Sequence, residues 1–252
     1  MFGNTKLLFI ETKEKLEECV EIWKNEPRIG VDLEGDSLYS YREKICLIQI
    51  SDSKQDYIID PLKISDLSPL FEVLESPDIL KIMHGADFDI VSLKRDYNVQ
   101  VQNLFDTLVA AQFLGYPKFG LSALIFEHFG ISLEKKFQTY NWSARPLYEE
   151  PVDYARGDTH FLLSLYEILH RKIQRKALGE IIAEECLCIT QKEWNGRQND
   201  GADFLRIKKV RSLKKEEQLR ILRSLYYWRE ELGKEANLPV FKIFLNEVLK
   251  PP

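Results

Sequence analysis

Three β-rich runs follow one another closely near the start of the chain, and they constrain the fold more than any other feature. They cover residues 28–34, 44–51 and 55–60, and an earlier run at 6–10 has the same character. Such runs, rich in isoleucine, valine and leucine and bounded by polar residues, are typical of strands. Because they come in quick succession, the simplest arrangement is an antiparallel meander.

Helical patterns surround and follow these strands. Thr12 is placed to cap a helix after the first strand, and two further strands are expected at 80–85 and 103–106. From Thr107 onward the apolar positions recur with the 3.6-residue period of helices, including one long helix over 151–175. Strand–helix alternation followed by helices predicts an α/β domain.

The end of the chain differs from the rest in composition and charge. A cluster of Gly, Asn and Asp at 195–203 is typical of a linker, and helical patterns return beyond it. Residues 196–252 carry a net charge of +5, whereas the whole chain carries −5. We therefore expect a first domain at 1–195, a linker at 196–203 and a small, basic, all-helical module at 204–252. A basic module suits a polyanionic partner.

The sequence predicts a cytoplasmic protein with no membrane partner. No segment approaches the ~20 apolar residues that cross a bilayer, and residues 1–15 lack the pattern of a signal peptide. The chain has 4 cysteines, which are too few and too scattered for a disulfide framework.

Asp32 and Glu34 form an acid-x-acid pair on one predicted strand. Because side chains alternate along a strand, both carboxylates share one face. Two neighbouring acids repel each other unless a counter-ion separates them, and a divalent cation would serve. Alternatively, the strand emerges into solvent here, where two acids cost little.

A second group of acids lies where a strand turns into a helix, between His84 and Asp89. Asp87 is the expected N-cap, and Asp89 falls in the first helical turn, where the helix dipole stabilises acids. Asp89 either has only this structural role or points across the sheet edge toward Asp32. His84 is either a packed histidine or a residue bordering a site.

Tyr154 and Asp158 are four residues apart on a predicted helix and therefore share one face. That face continues into apolar residues, so an acid beside it needs a partner. A solvent-exposed Asp with the tyrosine beside it is the alternative interpretation.

Taken in order, these motifs resemble those of the DEDD superfamily of 3′–5′ exonucleases, in its tyrosine-bearing branch. The segments at 84–97, 103–115, 141–147 and 154–166 look like those of ribonuclease D and its relatives, and the resemblance spans roughly 5–195. It implies a ribonuclease H-like (DnaQ-like) mixed sheet flanked by helices. The branch with a catalytic histidine is excluded, because Asp153 stands at the histidine position.

The resemblance implies a role for each matching residue. Asp32, Glu34, Asp89 and Asp158 would hold two divalent cations, Mg²⁺ or Mn²⁺. Tyr154 would orient the attacking water, because with an ordinary pKa near ~10 it is a poor base at neutral pH. The products would be nucleoside 5′-monophosphates released from the 3′ end.

Other residues are expected at the edges of the site. Asp106 matches a family position and is interpreted as a helix cap. His84 and Lys135 are candidate substrate contacts, whereas Arg145 is expected to anchor the long loop that contains it. Three aromatic residues of this loop are candidates for stacking on bases or for packing the loop on the core: Phe137, Tyr140 and Trp142. Residues 225–249 resemble the first half of an HRDC module, a helical nucleic-acid-binding domain.

The leading hypothesis is a metal-dependent 3′–5′ exoribonuclease that acts on single-stranded 3′ ends, in maturation of tRNA or other stable RNA. One alternative is a 3′–5′ DNA exonuclease, because nothing in the sequence identifies a contact to the ribose 2′-hydroxyl. The other alternative is a catalytically inert RNA-binding scaffold of the same fold.

Overall fold

The β-rich runs of the sequence form one mixed sheet in a computed structural model of the chain. The structure describes residues 2, 5–134, 136–194, 203–207, 210 and 216–246. The chain divides into two units, each with its own apolar core. The first unit contains Met1–Gly35 and Ile45–Trp194, and the second contains Asp36–Lys44 and Asn195–Pro252.

The sheet of the first unit has six strands in the order β1-β4-β3-β2-β5-β6. They are β1 (Lys6–Ile10), β2 (Arg28–Gly35), β3 (Ile45–Ser51), β4 (Gln55–Ile59), β5 (Leu80–Met83) and β6 (Leu104–Asp106). Strands β2, β3 and β4 pair antiparallel, which confirms the meander. The outer pairs, β1 with β4, β2 with β5 and β5 with β6, are parallel.

Helices flank this sheet. They are α1 (Lys13–Trp23), α2 (Ser68–Leu74), α3 (Asp87–Tyr97), α4 (Thr107–Leu114), α5 (Leu121–Phe129), α6 (Glu149–His160), α7 (Leu162–Lys176) and α8 (Gly179–Thr190). Thr12 caps α1 through its side chain, as expected. The α/β class is confirmed. Among the described residues, no helix combines the length and the apolar composition needed to span a bilayer.

The long helix predicted over 151–175 is wrong, because the structure has two helices there. Helix α6 ends at His160 and α7 begins at Leu162. The backbone N–H of Phe161 donates to the carbonyl of Thr159, only two residues back, which interrupts the i to i−4 ladder. Apolar periodicity continues through the break, so the sequence pattern contains no sign of it.

Asp56, a buried residue of β4, ties α6 to the sheet. Its carboxylate accepts from Arg156 Nε at 2.6 Å and from Ser51 Oγ at 2.7 Å, and it lies 2.8 Å from His160 Nδ1. Burial opposes its ionisation, but the hydrogen bonds from His160, Ser51 and Arg156 hold its pKa below the usual range. The side-chain network therefore fixes α6 against the meander.

Replacing Asp56 should therefore lower the free energy of unfolding, because the contact between α6 and the sheet is lost. Asp56→Ala leaves Arg156, which is itself buried, without its carboxylate, and breaking such a pair costs about 3–5 kcal/mol. Urea denaturation of the full chain measures this loss. Glu72→Ala is the control, because it removes an exposed ion pair with Lys24 that contributes at most about 1 kcal/mol. Equal unfolding midpoints for the two variants would contradict the expectation.

In the second unit, Asp36–Lys44 forms turns, whereas the described residues from Asp203 onward are mainly helical. A short 3-10 helix (Asp203–Arg206) precedes α9 (Glu216–Glu235) and α10 (Val240–Ile243). Arg229 is buried and donates to the carbonyl of Phe244 at 3.2 Å. Apart from Asp203, the predicted linker at 196–203 lies outside the described residues. The HRDC resemblance stays a prediction.

Candidate active site

Asp32 and Glu34 lie on one face of β2 near its end, as strand alternation predicts. Both are half-buried, and both line a cavity of about 1160 Å³. Asp158 of α6 joins them, so that one carboxylate oxygen from each of the three lies within 4.8 Å of the others. Residues that are 126 positions apart in the sequence therefore form one acidic cluster.

A glycine allows α6 to come this close to β2. A Cβ atom on Gly30 would lie 3.1 Å from the carbonyl oxygen of Thr159 and 3.3 Å from Leu162. Next to this contact, the hydroxyls of Ser51 and Thr159 are 2.8 Å apart. Because Asp158 precedes Thr159, the close approach at Gly30 sets the acid beside Asp32.

Asp89 comes from the first turn of α3 and is buried. It lies outside the group of three acids within 4.8 Å, but its charge raises the pKa of both Asp32 and Glu34. The turn before it is held by Asp106, whose carboxylate accepts the backbone N–H groups of Gly85 at 3.0 Å and Ala86 at 2.7 Å. The predicted capping role of Asp106 is confirmed and extends to this turn.

The prediction that Asp87 caps α3 is wrong. Asp87 is the first residue of the helix, Ala86 precedes it, and no side chain caps this end. The carboxylate of Asp87 instead pairs with Lys192 of the segment that follows α8. Because the helix already begins at Asp87, Ala86 holds the capping position, and alanine has no side-chain acceptor for the free N–H groups of the first turn.

The four acids have strongly raised pKa values. Burial, together with the charges of neighbouring acids, raises the pKa of Glu34 to about 9 and that of Asp89 to about 8. Burial raises the pKa of Asp158 to about 7, and burial and the other three acids hold that of Asp32 well above its usual range. The ionised cluster is therefore unfavourable without a cation.

The donor set fits divalent cations. Carboxylate oxygens are the ligands that Mg²⁺ and Mn²⁺ prefer. Among the described residues, no lysine or arginine makes a salt bridge to Asp32, Glu34, Asp89 or Asp158. The four acids repel one another, and a bound cation would relieve this repulsion. In the described part of the chain, no positively charged side chain does so.

Tyr154 lies on α6 one turn before Asp158 and lines the same cavity. Its ring stacks on Trp142 at 6.2 Å and meets Phe137 edge-on at 5.8 Å, which fixes the side chain from behind. Burial and the charges of Asp158, Glu34 and Asp32 raise its pKa above the ordinary value. At neutral pH it is a protonated hydroxyl that can orient a ligand and cannot remove a proton.

His84 lines the same cavity, and its hydrogen bonds identify its tautomer. The Thr107 hydroxyl is 3.0 Å from the carbonyl of Met83, which can only accept, and 2.9 Å from His84 Nδ1. Both contacts are satisfied only when Nδ1–H donates to Thr107, which leaves Nε2 as an acceptor. Burial lowers the pKa of His84 to about 4, so the ring is neutral at pH 7.

The long loop before α6 is largely structural. Trp142 is 2% exposed and belongs to an apolar cluster with Cys46 and Leu47. Phe137 and Tyr140 are partly buried and pack against the same cluster, so all three residues help to pack the loop on the core. Arg145 anchors the loop as expected, because its guanidinium makes two 2.7 Å hydrogen bonds to the Asp60 carboxylate. Lys135 lies outside the described residues.

Two aromatic residues that the sequence interpretation missed line the cavity instead. Phe119 is 39% exposed and Phe126 is 60% exposed, and they lie just before and on α5. Lys118 lies beside them in the same wall. Helical periodicity assigns Phe126 to the polar face of α5, and an aromatic residue on such a face is the signal that would have identified it.

Comparisons with known proteins show the family of the chain. A family model described as 3′–5′ exonuclease matches residues 7–174. The exosome complex component 10 homolog of Caenorhabditis elegans is 43% identical over 191 residues, which are 74% of this chain and 22% of that protein. The chain spans about a quarter of the length of the curated relatives that it matches.

Two solved structures are also similar. The catalytic core of RRP6 from Trypanosoma brucei is 32% identical with a TM-score of 0.89, over 98% of this chain and 69% of that one. RNase D of Escherichia coli, described as an exoribonuclease involved in structured RNA processing, is 28% identical with a TM-score of 0.79. The alignment covers 96% of this chain and 64% of the bacterial one.

Proposed function

The chain belongs to the 3′–5′ exonuclease family of the DEDD superfamily that includes Rrp6 and ribonuclease D, and we propose that it degrades RNA from the 3′ end to nucleoside 5′-monophosphates. The observation that carries the proposal is the cluster of Asp32, Glu34 and Asp158 in one cavity with Tyr154. An inert scaffold would have no need to keep acids with mutually raised pKa values together.

Four side chains would hold the cofactor, two divalent cations that we propose to be Mg²⁺ or Mn²⁺. These are Asp32, Glu34, Asp89 and Asp158. When bound, the cations would lower the pKa of the attacking water and neutralise charge on the leaving 3′ oxygen. The charges of the other three acids all raise the pKa of Asp32, which supports a place for it in the same ligand set.

The remaining residues of the cavity act on water and substrate. The Tyr154 hydroxyl is protonated and held by aromatic packing, so it orients the attacking water through a hydrogen bond and removes no proton. The neutral His84 offers Nε2 as an acceptor for a hydroxyl of the terminal nucleotide. Lys135, from the loop that precedes α6, remains a proposed contact to phosphate.

We propose single-stranded 3′ tails of tRNA precursors or other stable RNAs as substrates. The names of the relatives support RNA, since one is an exosome exonuclease and another an exoribonuclease that processes structured RNA. Phe119 and Phe126 supply stacking surfaces for unpaired bases, and Lys118 supplies positive charge. The cytoplasmic location, and nucleic-acid binding by the helical module, remain predictions.

The experiment is digestion of matched RNA and DNA duplexes that carry identical 3′ tails, with Mg²⁺ or Mn²⁺ and with EDTA. We expect stepwise shortening of RNA, release of 5′-monophosphates and no activity in EDTA. Faster digestion of DNA would favour the alternative of a DNA exonuclease. Tail binding without hydrolysis, under every metal condition, would favour the inert scaffold.

Loss of the exposed aromatic residues should weaken binding of the tail. We expect Phe126→Ala and Phe119→Ala each to raise the KM for tailed RNA by about tenfold, because stacking on one base contributes ~1–3 kcal/mol. Steady-state kinetics on tails of increasing length measure the effect. Phe113→Ala is the matched control, since Phe113 is an exposed aromatic residue of α4 outside the cavity lining. Unchanged KM values in both cavity variants would remove the stacking role.

A further inference from the structure

Gln49 is a fully buried polar residue of β3 whose amide has no partner. It is 0% exposed, and among the described residues neither its Nε2 nor its Oε1 has a hydrogen-bond partner. Leaving a buried amide unpaired costs roughly 1–3 kcal/mol, and such groups are rare in native proteins. Every other residue of β3 except Ser51 is apolar. We therefore expect the Gln49 amide to have a role that offsets this cost in free energy.

The strand register places Gln49 beside the acidic cluster. In the antiparallel pair β2–β3, Gln49 is the direct partner of Asp32, and Ser51 is the direct partner of Gly30. Direct partners put their side chains on the same face, with Cβ atoms ~5 Å apart. The contacts of Ser51 and Gly30 with Thr159 identify this face as the one that α6 covers.

The chemistry of the two side chains is complementary. The Asp32 carboxylate has no side-chain hydrogen-bond donor among the described residues. An amide N–H₂ donates two hydrogen bonds, and a carboxylate in a metal site commonly has such a donor behind it. At ~5 Å between Cβ atoms, the longer Gln49 side chain can reach the oxygen of Asp32 that faces away from the cluster.

We propose that Gln49 is a positioning residue that donates a hydrogen bond from Nε2 to the Asp32 carboxylate when Asp32 binds a divalent cation. The bond fixes the direction of the carboxylate oxygens and favours the ionised, cation-bound arrangement. This inference rests on the proposed function, because it takes Asp32 as a metal ligand. The unpaired Gln49 amide destabilises the metal-free protein, and the same amide strengthens cation binding in the metal-bound protein.

The test compares Gln49→Met with Ser51→Ala in the full chain. Methionine has a similar volume and length without the amide, so it removes the donor and preserves packing. Ser51 lies on the same strand and face two residues away, bridges Asp56 and Thr159, and is not a direct partner of an acid of the cluster. Thermal unfolding in EDTA and the dissociation constant for Mn²⁺ alone, measured by electron paramagnetic resonance of the free ion, are the two readouts.

We expect Gln49→Met to weaken Mn²⁺ binding by about 10–100-fold, the range for groups that orient a metal ligand. In EDTA its unfolding temperature should equal or exceed that of the unchanged protein, because an unpaired buried amide is gone. Ser51→Ala should show a different pattern, with lower stability in EDTA and a much smaller loss of Mn²⁺ affinity than Gln49→Met. Equal Mn²⁺ affinity in Gln49→Met and the unchanged protein would overturn the proposal.

A measurement on the unchanged protein covers the case in which Gln49→Met fails to fold. With glutamine-selective ¹⁵N labelling, one side-chain amide should shift as Mg²⁺ saturates, since a new hydrogen bond to a carboxylate forms. If no glutamine amide shifts while Mg²⁺ binds, the proposal is overturned. If neither Mg²⁺ nor Mn²⁺ binds the unchanged protein, the proposed metal site itself fails, which is a distinguishable result.

Discussion

Asp32→Asn is expected to abolish nuclease activity while making the metal-free protein more stable. Asparagine preserves the shape of the side chain but offers a neutral amide in place of the carboxylate that clusters with Glu34 and Asp158. Losing one such ligand removes several kcal/mol of transition-state stabilisation, which corresponds to a fall of roughly a thousandfold in kcat/KM. Because the pKa of Asp32 is raised by its neighbours, the same change relieves repulsion in EDTA.

The two readouts are the rate on a tailed RNA with saturating Mn²⁺ and the unfolding temperature in EDTA. Asp87→Asn is the control, because it neutralises an exposed acid only two residues from Asp89 that pairs with Lys192 and not with the cluster. That variant should retain activity within about twofold. An Asp32→Asn protein that is folded and retains its Mn²⁺-dependent rate would show that the catalytic assignment is wrong.

The sequence predicted those parts of the fold that depend on local signals within one segment. The β-rich composition of 28–34 and 44–51 predicted two strands of the meander, and Thr12 and Gly115 mark helix ends through their own side chain or backbone. The order β1-β4-β3-β2-β5-β6 depends on long-range pairing and has no local signal. The grouping of Asp36–Lys44 with the second unit likewise depends on tertiary contacts.

The sequence predicted which residues belong to the candidate site, but it did not predict how they are arranged in space. Asp32 and Glu34 share a face because of strand alternation, which is local. The approach of Asp158 depends on the absent side chain of Gly30, and no motif marks that glycine. Gln49 is one polar residue in an apolar strand, and its proposed role depends on the strand register that places it opposite Asp32.

The net charge of −5 has a specific consequence for RNA binding. Four acids belong to the proposed cluster, and two divalent cations would offset all four. We therefore expect tight RNA binding to depend on Mg²⁺ or Mn²⁺. The basic residues after Gly196 should add affinity that falls as salt rises, if the helical module binds the phosphate backbone.

Stability of the metal-free protein should fall as pH rises from 6.5 to 8. The pKa values of Glu34, Asp89 and Asp158 are about 9, 8 and 7 in the folded chain, whereas carboxyl groups of the unfolded chain titrate near ~4. Over this interval the folded state binds more protons than the unfolded state, so raising the pH favours unfolding. The expected loss is on the order of 2 kcal/mol across the interval.

The interval is chosen to exclude opposing titrations. The pKa of His84 is lowered to about 4, so its contribution changes between pH 4 and ~6.5. Burial lowers the pKa of Lys81 to about 8, and above that pH the unfolded chain binds the extra proton. Both groups would make stability rise with pH, and between pH 6.5 and 8 their contributions are small.

Urea denaturation at several pH values, in EDTA and again with saturating Mg²⁺, measures the effect. Mg²⁺ should raise stability and flatten the slope, because bound cations keep the carboxylates ionised in the folded state. Asp32→Asn should also reduce the slope in EDTA, because the pKa of Asp32 lies well above its usual range and the variant loses the proton that Asp32 binds only in the folded state. If the free energy of unfolding in EDTA stayed constant or rose from pH 6.5 to 8, these acids would ionise in the folded state without the expected cost in free energy. The cluster would then need no cation, and the argument for a metal site from mutual repulsion would be lost.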